Sequence, residues 1–257
     1  MTALAAGVAR SNESVFDTAL VIAVDVSQSV DDSRYKLQMD GIASALEDSS
    51  VIAAITGGIN GKIIVSLIAW SDSAETMLPW QTIESSADAV AVAKQIRNLP
   101  IRRGEFTCMA RMLETLPVGI LNDMPSKALR TVIDVSGDGI DNCAQKTRSD
   151  EARDALIASG ITLNGLPIIV EGENEVVGSG AYRAPSYGLG NLGPDTDTTT
   201  VDAWYTEHVI GGPGAFLMKA NGYEDFGRAF RQKFVTEISN ANDRCRRAIC
   251  TAARQQP

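Results

Sequence analysis

Residues 19–38 read ALVIAVDVSQSVDDSRYKLQ, and this stretch decides how the chain is understood. Residues 19–26 are almost wholly apolar, as in a strand buried on both faces of a parallel sheet. The strand closes on Asp25-x-Ser27-x-Ser29, and apolar residues at helical spacing follow directly over 33–48. Alternating acidic and hydroxyl side chains at a strand end deliver oxygen atoms to the rim of the sheet. In open parallel sheets that rim binds ligands where the strand order reverses. Such oxygens are hard donors that suit Mg²⁺, Mn²⁺ or Ca²⁺ better than zinc. The same stretch also makes an ordinary helix start, with Ser29, Asp31, Asp32 and Ser33 suited to an N-cap and an acidic first turn.

The alternation continues outward from this stretch. Strands are expected at 62–71, 128–136, 161–170 and 215–220, and helices at 86–99, 107–116, 148–160 and 223–241. Residues 74–83 follow 62–71 after a short turn and contain Pro79, which fits an antiparallel edge strand. The pattern predicts an α/β fold of three layers, a mainly parallel six-strand sheet with one antiparallel edge strand and helices on both faces. Residues 1–17 read as a lead-in, either a signal remnant or an added start. Residues 18–241 read as one domain, and 242–257 as a tail. Within the domain, 171–200 is rich in glycine and polar residues, and a loop of that length is expected to form a rim or flap that selects the ligand.

A net charge of −9 over 257 residues argues against a nucleic-acid partner. No apolar run is long enough to span a bilayer. The four cysteines, Cys108, Cys143, Cys245 and Cys250, show no C-x-x-C spacing, and a single histidine offers little to zinc. Two disulfides, and hence an oxidising compartment, are the preferred reading.

Two further stretches supply oxygen. RRGEFTCMARML (102–113) is a glycine-containing turn followed by Thr107 and a helix, and VIDVSGDGIDN (132–142) is a buried strand ending in a second acidic loop at Asp138. Asp25-x-Ser27-x-Ser29, Thr107 and Asp138, in this order and on this strand pattern, resemble the metal-ion-dependent adhesion site of von Willebrand factor A domains. The resemblance extends over about residues 18–240. The phrases VIDVSGDG, GITLNGLPI, VIGGPGAF and YEDF are similar to those of a proteobacterial family of von Willebrand A-like proteins of unknown function.

The resemblance implies a Rossmann-like von Willebrand A fold and a metal site. Ser27 and Ser29 would ligate a divalent cation directly, Thr107 directly or through water, and Asp25 and Asp138 chiefly through ordered waters. Mg²⁺ is the expected ion, with Mn²⁺ or Ca²⁺ as alternatives. One departure stands out: many such domains carry Thr or Ser before the last aspartate, where this chain has Gly137, and Asp134 or Ser136 is a candidate replacement for the lost hydroxyl. If these loops meet at one site, a Cys108–Cys143 disulfide would brace them, and Cys245–Cys250 would staple the closing helix to its tail.

A cation held mainly by neutral hydroxyls favours a carboxylate from outside. The implied function is therefore metal-dependent binding of a protein or other acidic ligand in the periplasm or outside a bacterial cell, not catalysis. A Mg²⁺-dependent hydrolase at the same site is the alternative. Neither a base nor a nucleophile stands out. His208 is expected at the surface or as a cap. Asp195, Asp197 and Asp202 read as a solvated acidic turn, and Trp70, Trp80 and Trp204 as core or rim packing.

Overall fold

The protein is described by a computed structural model covering residues 15–144, 146–178 and 198–239. Cys245, Cys250, Asp195, Asp197 and most of the 171–200 segment lie outside the described residues. Twelve elements run in the order β1 (Thr18–Asp25), α1 (Asp32–Glu47), α2 (Ser49–Thr56), β2 (Ile63–Trp70), β3 (Ala74–Ile83), α3 (Ser86–Arg97), α4 (Met109–Thr115), β4 (Thr131–Gly137), α5 (Lys146–Ala158), β5 (Thr162–Ile169), α6 (Val201–His208) and β6 (Ala220–Asn221). A closing helix, α7, occupies 226–239.

The sheet order is β3-β2-β1-β4-β5-β6. Only β3 runs antiparallel, as the edge hairpin predicted around Pro79. The remaining pairings are parallel. Every residue of β1 and β2 is buried, as continuous apolar runs require. Alternation along β1 divides the core. Leu20, Ile22 and Val24 pack with α1, α2, α3 and α7, whereas Val21 and Ala23 pack with α4, α5 and α6. These are the two helical layers of the expected three-layer fold.

Three elements depart from the sequence reading. The helix α2 was not foreseen; it is short, starts at Asp48, whose carboxylate accepts from Ser50 N at 2.8 Å, and ends at Gly57. The strand expected over 215–220 shrinks to Ala220–Asn221. There the Asn164 side chain takes the Phe216 amide (3.0 Å) in place of a backbone carbonyl, leaving one bridge between Gly165 and Leu217. The third is His208, which is 5% exposed, not on the surface. Its ring lies 5.2 Å from that of Trp204, and its Nδ1 is 2.9 Å from Asp150 Oδ1. Trp70 and Trp204 are core residues, and the half-buried Trp80 donates from Nε1 to Ile120 O at 2.8 Å.

The strand order reverses between β1 and β4. Both end on the same edge of the sheet, so Asp25 and Asp138 emerge side by side at the topological switch point.

Candidate metal centre

The floor of the site is the end of β1. Asp25 is fully buried, and its Oδ1 accepts from Ser27 N at 2.7 Å, turning the chain back over the strand end. This turn aims Ser27 and Ser29 to the same side, with their hydroxyl oxygens 3.3 Å apart. Ser29 Oγ then donates to Asp138 Oδ1 at 2.7 Å across the switch point. Asp31 is spent elsewhere: it caps α1 by accepting from Arg34 N at 2.8 Å. The neighbouring Asp32 pairs with Arg103.

The second wall is the segment before α4. Gly104 N donates to Val26 O (2.8 Å) and Cys108 N to Ser71 O (3.1 Å), docking this loop on the β1 and β2 ends. Gly104 has no room for a side chain, because a Cβ there would sit 1.8 Å from Ser71 Oγ. Thr107 is thereby carried to the Asp138 loop. Its Oγ1 lies 3.6 Å from where a Cβ on Gly139 would stand.

Three devices lock the Thr107 and Asp138 loops together. Thr107 N donates to Asn142 Oδ1 (2.8 Å), while Asn142 N donates to Thr107 O (3.0 Å). The Asp141 carboxylate accepts from Ala110 N, Cys143 N and Ala144 N at 2.6–2.9 Å. Cys108 and Cys143 form the expected disulfide, with their Cα atoms 5.0 Å apart.

The absent hydroxyl at 137 has a steric cause. A Cβ on Gly137 would lie 2.7 Å from Tyr205 Oη and 2.8 Å from Asp25 Oδ2. A phenol from α6 therefore occupies the place a Ser or Thr side chain would need. Neither proposed replacement serves: Ser136 Oγ donates to Ala23 O at 3.3 Å, and Asp134 faces α7, where it pairs with Lys233. Sequence reasoning missed Tyr205, and also Tyr223, whose hydroxyl donates to Asp138 Oδ2 at 2.9 Å. It also missed Arg34, which donates to Ser29 O at 2.9 Å, sits 5.1 Å from the centre of the Tyr223 ring and pairs with Glu173 at 2.7 Å. Asn174 ties the start of the 171–178 segment to the site by donating to Asp138 O at 2.5 Å. No motif spacing marks these residues: Tyr205 lies within α6, Arg34 within α1, and Tyr223 and Asn174 in turns that gain a role only when they fold over the rim.

The electrostatics favour a cation. Asp25 Oδ2 and Tyr205 Oη are buried without a hydrogen-bond partner among the described residues. Burial, and then the charge of Asp138, push the Asp25 carboxyl up to about 8. Burial and the same two carboxylates raise the Tyr205 and Tyr223 phenols, so both remain protonated. Among the described residues no group of three or more His, Cys, Asp or Glu side chains is placed to hold a metal. A cation here would rest on hydroxyls and two carboxylates, a donor set that fits a hard divalent ion. The site opens outward at Gln28 and Ser29, which are exposed, beside a cavity of about 260 Å³ lined by Ser27, Gln28, Val30, Asp31, Arg103 and Gly104.

Comparison with known proteins places this geometry in context. A search of curated proteins finds no match. Among solved structures, proximal thread matrix protein 1 from the mussel byssus superposes with a TM-score of 0.56 at 13% identity, over 89% of this chain and 49% of that one. A further structure of that mussel protein has a zinc-occupied MIDAS motif (TM-score 0.51, 13% identity, 89% and 48% covered). A von Willebrand factor type A protein from Catenulispora acidiphila gives 0.50 at 16% identity, over 87% and 43% of the two chains. The conserved hypothetical protein BatB from Bacteroides thetaiotaomicron gives 0.53 at 16% identity, over 87% and 99%. The chain thus spans about half the length of the mussel protein and nearly all of BatB. These likenesses establish a von Willebrand A-type fold. The family profile described as "Protein of unknown function (DUF1194)" matches residues 14–242, and the chain belongs to that family.

Proposed function

We propose that the protein is a divalent-cation-dependent interaction module that captures an acidic group of a protein or other ligand. One observation carries the reading: Ser27, Ser29 and Asp138 form a continuous hydrogen-bonded chain beside an unpartnered Asp25 oxygen, open to solvent at Ser29. The cation would be held by Ser27, Ser29 and Thr107, with Asp25 and Asp138 behind them, and would supply an electrophilic position for an incoming carboxylate. Asp25 orients Ser27 through its backbone amide. Tyr223, by donating to Asp138, fixes that carboxylate toward Ser29. The zinc-occupied motif of the mussel protein supports a divalent ion in general, and Mg²⁺ is the ion we propose.

Binding, not turnover, is the proposed role; the one histidine ends α6 and pairs with Asp150 of α5. The Cys108–Cys143 disulfide supports a periplasmic or secreted setting, where such bonds persist. No helix among the described residues is long and apolar enough to cross a membrane. Calorimetric titration of metal-stripped protein with Mg²⁺, Mn²⁺, Ca²⁺ and Zn²⁺ tests the reading. Saturable binding that disappears in Ser27→Ala/Ser29→Ala is expected, and heat that is absent or identical in the variant would refute it. Turnover of generic phosphate or ester substrates that is lost in Asp25→Ala would favour a hydrolase instead.

A further inference from the structure

Opposite the rim, on the α7 side of the sheet, three ionisable side chains are sealed in the core. Lys233 is 0% exposed, Glu237 1% and Asp134 3%. Asp134 lies on the central strand β4, with Ile22 of β1 and Asn164 of β5 as its register neighbours. Lys233 and Glu237 stand one helical turn apart on α7. The Lys233 Nζ contacts Asp134 Oδ1 and lies 2.7 Å from Glu237 Oε1. Asn164 donates from Nδ2 to the same Glu237 oxygen and so fixes that carboxylate. The Phe216 ring covers the amine, its centre 5.5 Å from Nζ. Among the described residues neither Asp134 oxygen has a partner in hydrogen-bonding geometry, although the amine touches one of them.

An amine in contact with a carboxyl, a second carboxylate within reach of the amine and the burial of all three from solvent are the elements of amide formation. We propose that Lys233 and Asp134 condense into an intramolecular amide cross-link between α7 and β4, with Glu237 as proton carrier.

The step balances within these three groups. Glu237 takes one proton from the Lys233 ammonium and frees the Nζ lone pair. Nζ bonds to Asp134 Cγ, and the Cγ–hydroxyl bond breaks. Of the three ammonium protons, one stays on the amide nitrogen, one leaves with the hydroxyl as water and one remains on Glu237. Nothing is oxidised or reduced. The reaction needs Asp134 protonated, and burial together with the charge of Glu237 raises that carboxyl well above its ordinary range. Burial also acts to raise Glu237, but the Lys233 charge and its hydrogen bonds bring it below the usual value, so it begins as the base.

Two physical effects drive the step forward. Charges are costly to hold in an apolar interior, and the product is neutral throughout. The reacting atoms are also held in contact by a packed strand and helix, which replaces an unfavourable encounter with a positioned one. In place of an ion triad that must be kept dry, the core gains a covalent tie between its central strand and its closing helix.

Mass spectrometry decides the matter on the full, folded chain. Wild-type protein, reduced to open its disulfide, should weigh one water less than its sequence. Because an Asp-Gly step such as Asp138-Gly139 can lose water on its own, location is required as well as mass. Trypsin should release a branched peptide joining 131–146 to 232–244, uncut after Lys233. Glu237→Gln keeps the shape but removes the base; a folded variant, by circular dichroism, should carry the full mass and yield separate peptides. Wild-type protein at full mass with separate peptides after prolonged incubation in the folded state would overturn the proposal and leave an ion triad. Ammonia loss with Lys233 joined to Asn164 would overturn it too.

Discussion

Strand β4 carries Asp134, and Asp138 follows its last residue; the two aspartates, four positions apart, meet opposite fates. Asp134 enters the interior and faces a second carboxylate, Glu237; Asp138 reaches the rim and stands beside Asp25. Each place buries two carboxylates close together, and in each the burial and the neighbour's charge push one carboxyl up, Asp134 inside and Asp25 at the rim. The interior pair has a cation built into the chain, Lys233. Among the described residues the rim pair is met by the Ser27 amide, the Ser29 hydroxyl and the phenols of Tyr205 and Tyr223, while the nearby Arg34 is paired with Glu173, and the site opens to solvent at Ser29. The same electrostatic conflict is closed by an internal amine in one place and left for an ion from solution in the other. That contrast separates a structural cluster from a binding site more sharply than the presence of acidic residues does.

The largest effect should come from emptying the interior of its amine. Lys233→Ala removes both the proposed amide and the amine it forms from, leaves Asp134 and Glu237 buried together, and should cost at least about 3 kcal/mol, measured by urea denaturation. A loss under about 1 kcal/mol would show that the interior does not depend on Lys233, as an amide or as a cation. Next in size is the strap beside the rim. Cys108→Ser/Cys143→Ser removes a bond across 35 positions of sequence and should cost about 3–4 kcal/mol in the loop-entropy view. Cation affinity should fall with it, because Thr107 and Asp138 are then held by hydrogen bonds alone. Unchanged calorimetric affinity in a folded double variant would show that the strap does not set the site.

The third effect is a pH slope. The native Asp25 carboxyl is raised from 3.8 to about 8, so between these values the folded, cation-free protein keeps a proton that the unfolded chain has released. Stability is therefore greatest below the unfolded value and falls as pH rises toward 8, by at most about 1.4 kcal/mol per unit for one proton. Asp25→Asn, which still accepts from Ser27 N, should flatten that slope, and so should saturating Mg²⁺. A slope that survives in Asp25→Asn assigns it to another group.

The sequence disclosed the part of this picture that rests on periodicity and strand ends. The doubly buried runs 19–26 and 62–71 named the central strands, Pro79 named the edge, and Asp25-x-Ser27-x-Ser29 marked the rim, because each is a local pattern with a local physical cause. The phenols were hidden for the opposite reason. Tyr205 and Tyr223 belong to α6 and to the turn before α7, and only the folding of those elements over the sheet brings their hydroxyls to Asp25 and Asp138. Gly137 shows the cost of that blindness: read alone it is a lost ligand, whereas in space its missing side chain makes room for Tyr205. Asp134 was misassigned because an acid in an apolar strand four residues from a site looks like part of it. Alternation along β4 instead sends its side chain to the face covered by α7. The helix α2 and the reduced β6 were lost to length, being too short for a periodic signal.

The smallest expected effect marks the outer boundary of the rim. Arg34 binds Ser29 O and pairs with Glu173, but the two side chains are 22% and 52% exposed, so water and salt screen the pair. Arg34→Ala should lower stability by only about 0.5–1 kcal/mol in dilute buffer, with the difference shrinking at about 1 M salt, where the screening length is near 3 Å. Lys233→Ala should keep its full effect at that salt, because ions do not reach a side chain with no exposed surface. Thermal denaturation of both variants at two ionic strengths therefore compares the two regions in one experiment. If Arg34→Ala cost as much as Lys233→Ala and ignored salt, the Arg34–Glu173 pair would be part of the interior framework, and the opening at Ser29 would be narrower than the exposed surface implies.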